Sequence, residues 1–279
     1  MQKKPLEISC YVAGAGAFGV FFRWLQDQLA FDEAGLNERS VFNVLVPVLA
    51  LAAIWLFNRF LQQMKEQKLE LPEEYCDALF NPGKLFTAAR WAAGAIMIAG
   101  AALLLISSET DQHADLIRIL CLLAFLSGAA FPLVLGAANY EFLAHEGLVR
   151  VGMLLPVLTY AFWLVLCYLQ NAYNSVAWSY AVEIFTIIAA MMGYFRVAGF
   201  SFHAAKDLRP LFAAMVGAMM CIMVLADERY MGMQLIFLAS AGQLLLYVWI
   251  QVRNLERRRP QTHREGDAEV DDGGFEVLR

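Results

Sequence analysis

Charged residues are scarce in this chain. Only 17% of its 279 residues are Asp, Glu, Lys or Arg, whereas soluble domains carry about 25%. Against that deficit stand 60% hydrophobic residues and a mean hydropathy of +0.53. The balance excludes an ordinary soluble globular domain. The apolar residues also come in long blocks rather than at a surface-helix period, which is the pattern of membrane spans.

Other shortages exclude particular chemistries. There are five cysteines, at 10, 76, 121, 167 and 221, and none forms a Cys-x-x-Cys. No disulfide framework or metal site is expected from them, and Cys121, Cys167 and Cys221 read as small membrane hydrophobes. The four histidines, His113, His145, His203 and His263, fall in loops or tail, so no pair faces across a span to hold a haem. No lysine sits mid-span for a retinal Schiff base. A Walker loop, a His-Glu-x-x-His cluster and a Gly-x-Ser-x-Gly elbow are all missing. His145 with Glu141 and Glu146, and His203 with Asp207, come nearest to an interfacial metal or phosphate set, and solvated loop residues are the simpler reading. No cofactor is expected, and the pattern points away from an enzyme. Nor is there a basic stripe or stacking module for nucleic acid.

What is present divides into eight apolar runs: Ile8–Leu25, Val41–Leu61, Phe86–Ile106, Leu116–Tyr140, Val151–Leu169, Val176–Phe195, Leu211–Ala226 and Met231–Val252. The seventh is the weakest, being barely long enough for a hydrocarbon core of about 30 Å. With eight spans and the N-terminus inside, only Arg23, Arg39, Arg118 and Arg229 of the 21 basic residues fall outside. The positive-inside rule asks for this distribution. The fold class expected is therefore an all-α polytopic membrane bundle of about eight helices, with both termini cytoplasmic, of bacterial inner-membrane type.

Residues 1–253 form the expected bundle, interrupted by a cytoplasmic connection over 58–85. Residues 254–279 read as a charged, disordered tail. The 58–84 segment and the tail are candidate contacts for a cytoplasmic or membrane protein partner, beside the lipid bilayer itself. Small residues such as Ala15/Gly19, Gly94, Gly128 and Ala214/Ala218 suit close helix packing and homo-oligomer contacts.

Glu183 is the only acidic residue deep inside an apolar run. An intramembrane carboxylate is a functional candidate by default and needs a partner. Arg23, which closes the first span, and Arg118, one turn into the fourth, are the expected partners. Tyr180 and Thr186 lie at i−3 and i+3 of Glu183 and share its helix face. Gln243 is the deepest of the remaining polar residues. Pro47, Pro132 and Pro156 fall inside spans, where each frees a carbonyl. Two functions are compatible with these features: a small-solute or ion-coupled permease using the Glu/Arg site, and a non-catalytic anchor or scaffold subunit.

Overall fold

The computed structural model describes residues 5–32, 35–36, 41–109, 113–139, 146–171, 177–205, 207–227 and 229–257. Eight of its helices are long and apolar enough to cross a membrane. The first, α1 (Pro5–Ala30), begins on a proline, whose fixed φ and missing N–H suit a first helical turn. A two-residue antiparallel pair, β1 (Phe31–Asp32) with β2 (Gly35–Leu36), follows it. Next come α2 (Phe42–Glu66), β3 (Leu69–Glu70) and a single helical turn, α3 (Tyr75–Ala78).

From Lys84 onward the helices follow one another around a ring. They are α4 (Lys84–Ser107), α5 (Ala114–Ala137), α6 (Glu146–Asn171), α7 (Ala177–Ala198), α8 (Arg209–Met223) and α9 (Met231–Arg253). Each packs against its successor, and α9 closes the ring against α4. Helix α1 lies outside the ring on α8 and α9, and α2 lies mainly on α1. Two-residue strand β4 (Glu256–Arg257) ends the described chain.

Small residues set the closest approaches. A Cβ added at Gly94 of α4 would lie 2.5 Å from the Gly128 carbonyl oxygen of α5. That carbonyl is the one Pro132, four residues on, cannot bond, because proline has no N–H. The proline expected to free a carbonyl thus does so, and a glycine from the neighbouring helix covers it. All three in-span prolines sit within continuous helices.

The weak seventh run is α8, extended by a 3-10 turn over Val224–Ala226. Its 18 residues, Arg209–Ala226, reach about 27 Å at 1.5 Å per residue. It is nevertheless heavily enclosed, with Leu211, Ala214, Ala218 and Cys221 fully buried between α1, α7 and α9. Enclosure by other helices relieves it of matching the bilayer on its own.

One end of the ring is closed by the connector between α2 and α4. Ala78, Leu79 and Asn81 are completely buried there. The Tyr75 hydroxyl donates to the Val134 carbonyl of α5. Asn81 takes its backbone N–H to Asn139 Oδ1 at 2.8 Å. Asn254 Nδ2 donates to the Ala78 and Phe80 carbonyls, each at 3.0 Å, and β4 pairs antiparallel with β3. Residues 254–257 therefore belong to the folded unit, and Leu255 is buried. The expected tail beyond 257 lies outside the described residues.

Candidate functional site

The opposite end of the bundle holds a buried ionic network. Arg23 lies on the last turns of α1, only 2% exposed. Its Nε donates to Asp227 Oδ1 at 2.7 Å and one terminal nitrogen donates to Gln26 Oε1 at 2.7 Å. Asp27, one turn on, stands 3.8 Å from the other nitrogen. Gln26 passes the chain of bonds to α2 through Nε2 to Asn43 Oδ1 at 3.0 Å. Asp227 follows the 3-10 turn after α8, and Gln234 Nε2 of α9 holds its backbone carbonyl at 3.0 Å.

Asp227 also joins the two arginines. Its Oδ2 lies 3.5 Å from a terminal nitrogen of Arg229, whose other terminal nitrogen meets Glu183 Oε2 at 2.6 Å. The Cys167 thiol of α6 donates to the same carboxylate oxygen at 3.2 Å. Asn171 Nδ2 bonds the Cys167 carbonyl one turn away at 2.9 Å. The result is a continuous path, Arg23–Asp227–Arg229–Glu183, across α1, the α8–α9 turn and α7. Two guanidiniums face three carboxylates, counting Asp27. Burying such groups singly costs several kcal/mol per ion, and only mutual pairing with added hydrogen bonds offsets this.

Two atoms in the network lack a full complement. Asp227 Oδ2 and Arg229 Nε are both buried without a hydrogen-bond partner among the described residues. Arg229 is the more accessible of the two guanidiniums, its side chain 19% exposed against 2% for Arg23. A donor and an acceptor left open beside a partly exposed guanidinium suit a small polar or anionic solute.

Glu183 has a cationic partner as expected, but a different one. Its direct partner is Arg229, and Arg23 reaches it only through Asp227. Arg118 does not take part: it pairs with Asp115 at 2.7 Å on the surface, its side chain 57% exposed. One turn into α5 leaves a long side chain free to turn outward to the nearest carboxylate. Thr186 is buried, yet its hydroxyl is spent on the Val182 and Met220 carbonyls at 2.8 and 3.3 Å. Tyr180 is half-buried, one turn from Glu183 on α7. Gln243 belongs to a separate cluster deeper in the ring: Tyr194 donates to its Oε1 at 2.7 Å, and its Nε2 contacts Met97 Sδ at 3.4 Å.

Asp227, Arg229, Gln26 and Cys167 are the members of the network that the sequence does not single out. Asp227 and Arg229 looked like ordinary loop charges after the weakest span. The available signal was that an acidic and a basic residue directly follow the shortest span, where loop charges fall within reach of buried ones. Cys167 carried a signal too, since Tyr160, Trp163 and Cys167 share one stripe of α6.

Among the described residues no three His, Cys, Asp or Glu side chains gather as metal ligands. Of the interfacial set around His145, both Glu141 and His145 lie outside the described residues. No family model, curated protein or solved structure matches the chain. The fold and the network therefore define a class alone: a multi-pass helical bundle of membrane-spanning type, with a buried ionic site between its helices.

Proposed function

We propose that this chain is an ion-coupled permease for a small polar solute. Glu183, Arg229, Asp227 and Arg23 form its site at the outer mouth, and the connector closes the cytoplasmic mouth. The observation that carries this reading is the Glu183–Arg229 pair, which joins α7 to the α8–α9 turn by a contact that solute or ion can compete for. Arg229 Nε and Asp227 Oδ2 offer that competitor a donor and an acceptor. Closure at both ends corresponds to an occluded state of an alternating-access cycle, in which access switches by movement around a fixed site.

The test is electrical. Purified protein in proteoliposomes adsorbed on a capacitive membrane sensor is challenged with steps of pH and of sodium. Wild type is expected to give a transient current to at least one step. Glu183→Gln should abolish it while the variant still elutes as a monodisperse species. Silence of the wild type to both steps overturns the reading.

One observation favours the second reading, an anchor subunit. Val44, Val48, Leu51 and Trp55 form an exposed stripe on α2 at i, i+4, i+7 and i+11, the spacing of a helix-docking seam. An apolar groove of about 270 Å³ runs between α1, α2 and Met215 of α8 beside it. Recovery of a stoichiometric partner in an intact-complex mass, lost with Leu51→Lys, would support that reading.

A further inference from the structure

Inside the ring, inward of Glu183, a second set of polar side chains lies buried among α6, α7 and α9. Tyr160, Trp163 and Ser240 are all completely buried. Among the described residues, the Tyr160 hydroxyl, the Trp163 indole N–H and the Ser240 hydroxyl make no hydrogen bond of full geometry, only looser approaches to one another and to Glu183. The Trp163 indole lies beside the Glu183 carboxylate, and the Tyr160 hydroxyl beside Ser240 and Cys221. Tyr160 stacks on Trp163 at 5.7 Å and on Tyr194 at 5.9 Å. Tyr194 then leads to Gln243 by its 2.7 Å hydrogen bond.

Further along α9 the pattern continues. Ser240, Gln243, Tyr247 and Gln251 share one face of that helix. Tyr247 reaches only the Met153 sulfur, at 3.6 Å. Neither amide atom of Gln251, which is also fully buried, has a hydrogen-bond partner among the described residues. Each unsatisfied buried polar atom costs about 1–3 kcal/mol. A mere packing core would place Phe, Val and Leu at these positions at no such cost. Buried polar groups of this kind are the ones that hold internal water.

We infer that the ring interior carries a hydrated polar column that conducts protons between Glu183 and the Tyr194–Gln243 pair. This deepens the permease reading, on which it rests, by naming the coupling ion. Glu183 takes up one proton as its contact with Arg229 opens. The resulting acid passes that proton to a neighbouring water, which releases another to the Tyr160 hydroxyl. Tyr160 gives up its own proton to the Ser240 hydroxyl, Ser240 gives its own to Tyr194, and Tyr194 gives its own to a further water of the column, which carries it inward. Each oxygen gains one O–H bond and loses one, so the net change is one proton moved inward along about 16 Å of α7. No group is oxidised or reduced. The groups facing Glu183 during the step are Arg229, Asp227, Cys167 and Trp163.

Two measurements test the inference together. On the capacitive sensor, pH steps should drive current and sodium steps should not. Tyr160→Phe, which removes only the hydroxyl, should lower the current more than tenfold, and Ser240→Ala should lower it by less. X-ray hydroxyl-radical footprinting of unmodified protein should label Tyr160 and Trp163 rapidly despite their burial, because radicals form from water held beside them. Absence of that label overturns the column whatever the variants do. Current to sodium steps alone, or a Tyr160→Phe variant as active as wild type, overturns proton conduction through Tyr160 while leaving the Glu183–Arg229 permease reading intact. Silence to both ions overturns both.

Discussion

Arg23 and Asp227 show how a membrane-embedded charge is made tolerable. Arg23 has carboxylate and amide partners from α1 and the α8–α9 turn, so its guanidinium keeps directed donors after leaving water. Asp227 serves both arginines at once, which makes it the least replaceable member. Asp227→Asn should cost about 3–5 kcal/mol, the usual penalty for leaving one side of a buried pair uncompensated. Thermal unfolding in mild detergent would measure this. The double change Arg23→Met with Asp227→Leu should recover part of the loss, because it removes the stranded charge as well as the bond. A single variant as stable as wild type would mean that the pair is not buried in the native protein. At this scale the sequence was informative about burial and less so about pairing. Glu183 and Arg23 stood out because a charge inside an apolar run has few explanations. Arg229 did not, because a charge in a loop has many, and only the three-dimensional path of the α8–α9 turn brings it within 2.6 Å of Glu183.

Among the elements, α3 and its flanks behave as a lid made from the chain itself. The Tyr75 hydroxyl sits buried against α5, and burial pushes its ionisation well above the ordinary 10.0 of tyrosine. The sign of the pH effect follows. An unfolded connector would lose its proton near 10, while the docked one keeps it, so Tyr75 contributes fully below pH 10. That contribution is lost as pH climbs toward the raised value. Wild type should hold a flat melting temperature from pH 7 to 9 and lose it above 10. Tyr75→Phe should start about 1 kcal/mol lower, from the missing hydrogen bond, and fall less steeply. Equal slopes for the two proteins would place the alkaline loss elsewhere. The helices themselves were easily read, since long apolar blocks leave little choice of element. The lid was not: Leu71 to Phe80 looks polar and connector-like, and its buried face emerges only when Asn254 and β4 are found beside it.

For the molecule as a whole, ring closure by α9 against α4 explains why the most enclosed helix is the last. No periodicity within α9 distinguishes it from a helix that faces lipid, so the order of helices around the ring was invisible in the sequence. Sidedness rests on the basic residues alone, whose distribution about the spans follows the positive-inside rule when both termini are placed inside. We propose on that ground that the ionic network faces outward and the connector lid faces the cytoplasm. Alkaline phosphatase fused after Tyr230 should be active, and the same enzyme fused after Arg257 should be silent. The reverse pattern would invert the molecule and put the lid outside.

The closing role of residues 227–257 has a consequence for how the protein is made. During synthesis Arg23 and Glu183 enter the membrane long before Asp227 and Arg229 leave the ribosome. Until then Arg23 lacks Asp227 and Glu183 lacks Arg229, and the connector has neither β4 nor Asn254 to hold it. Helix α9 must still join α4, whose sequence emerged more than a hundred residues earlier. The nascent chain therefore needs shelter for its two stranded charges, from the insertion machinery or from lipid headgroups, until that last helix arrives. A ribosome stalled before residue 227 would leave a chain in which most spans are present and neither end is shut, the form that membrane quality control should recognise first.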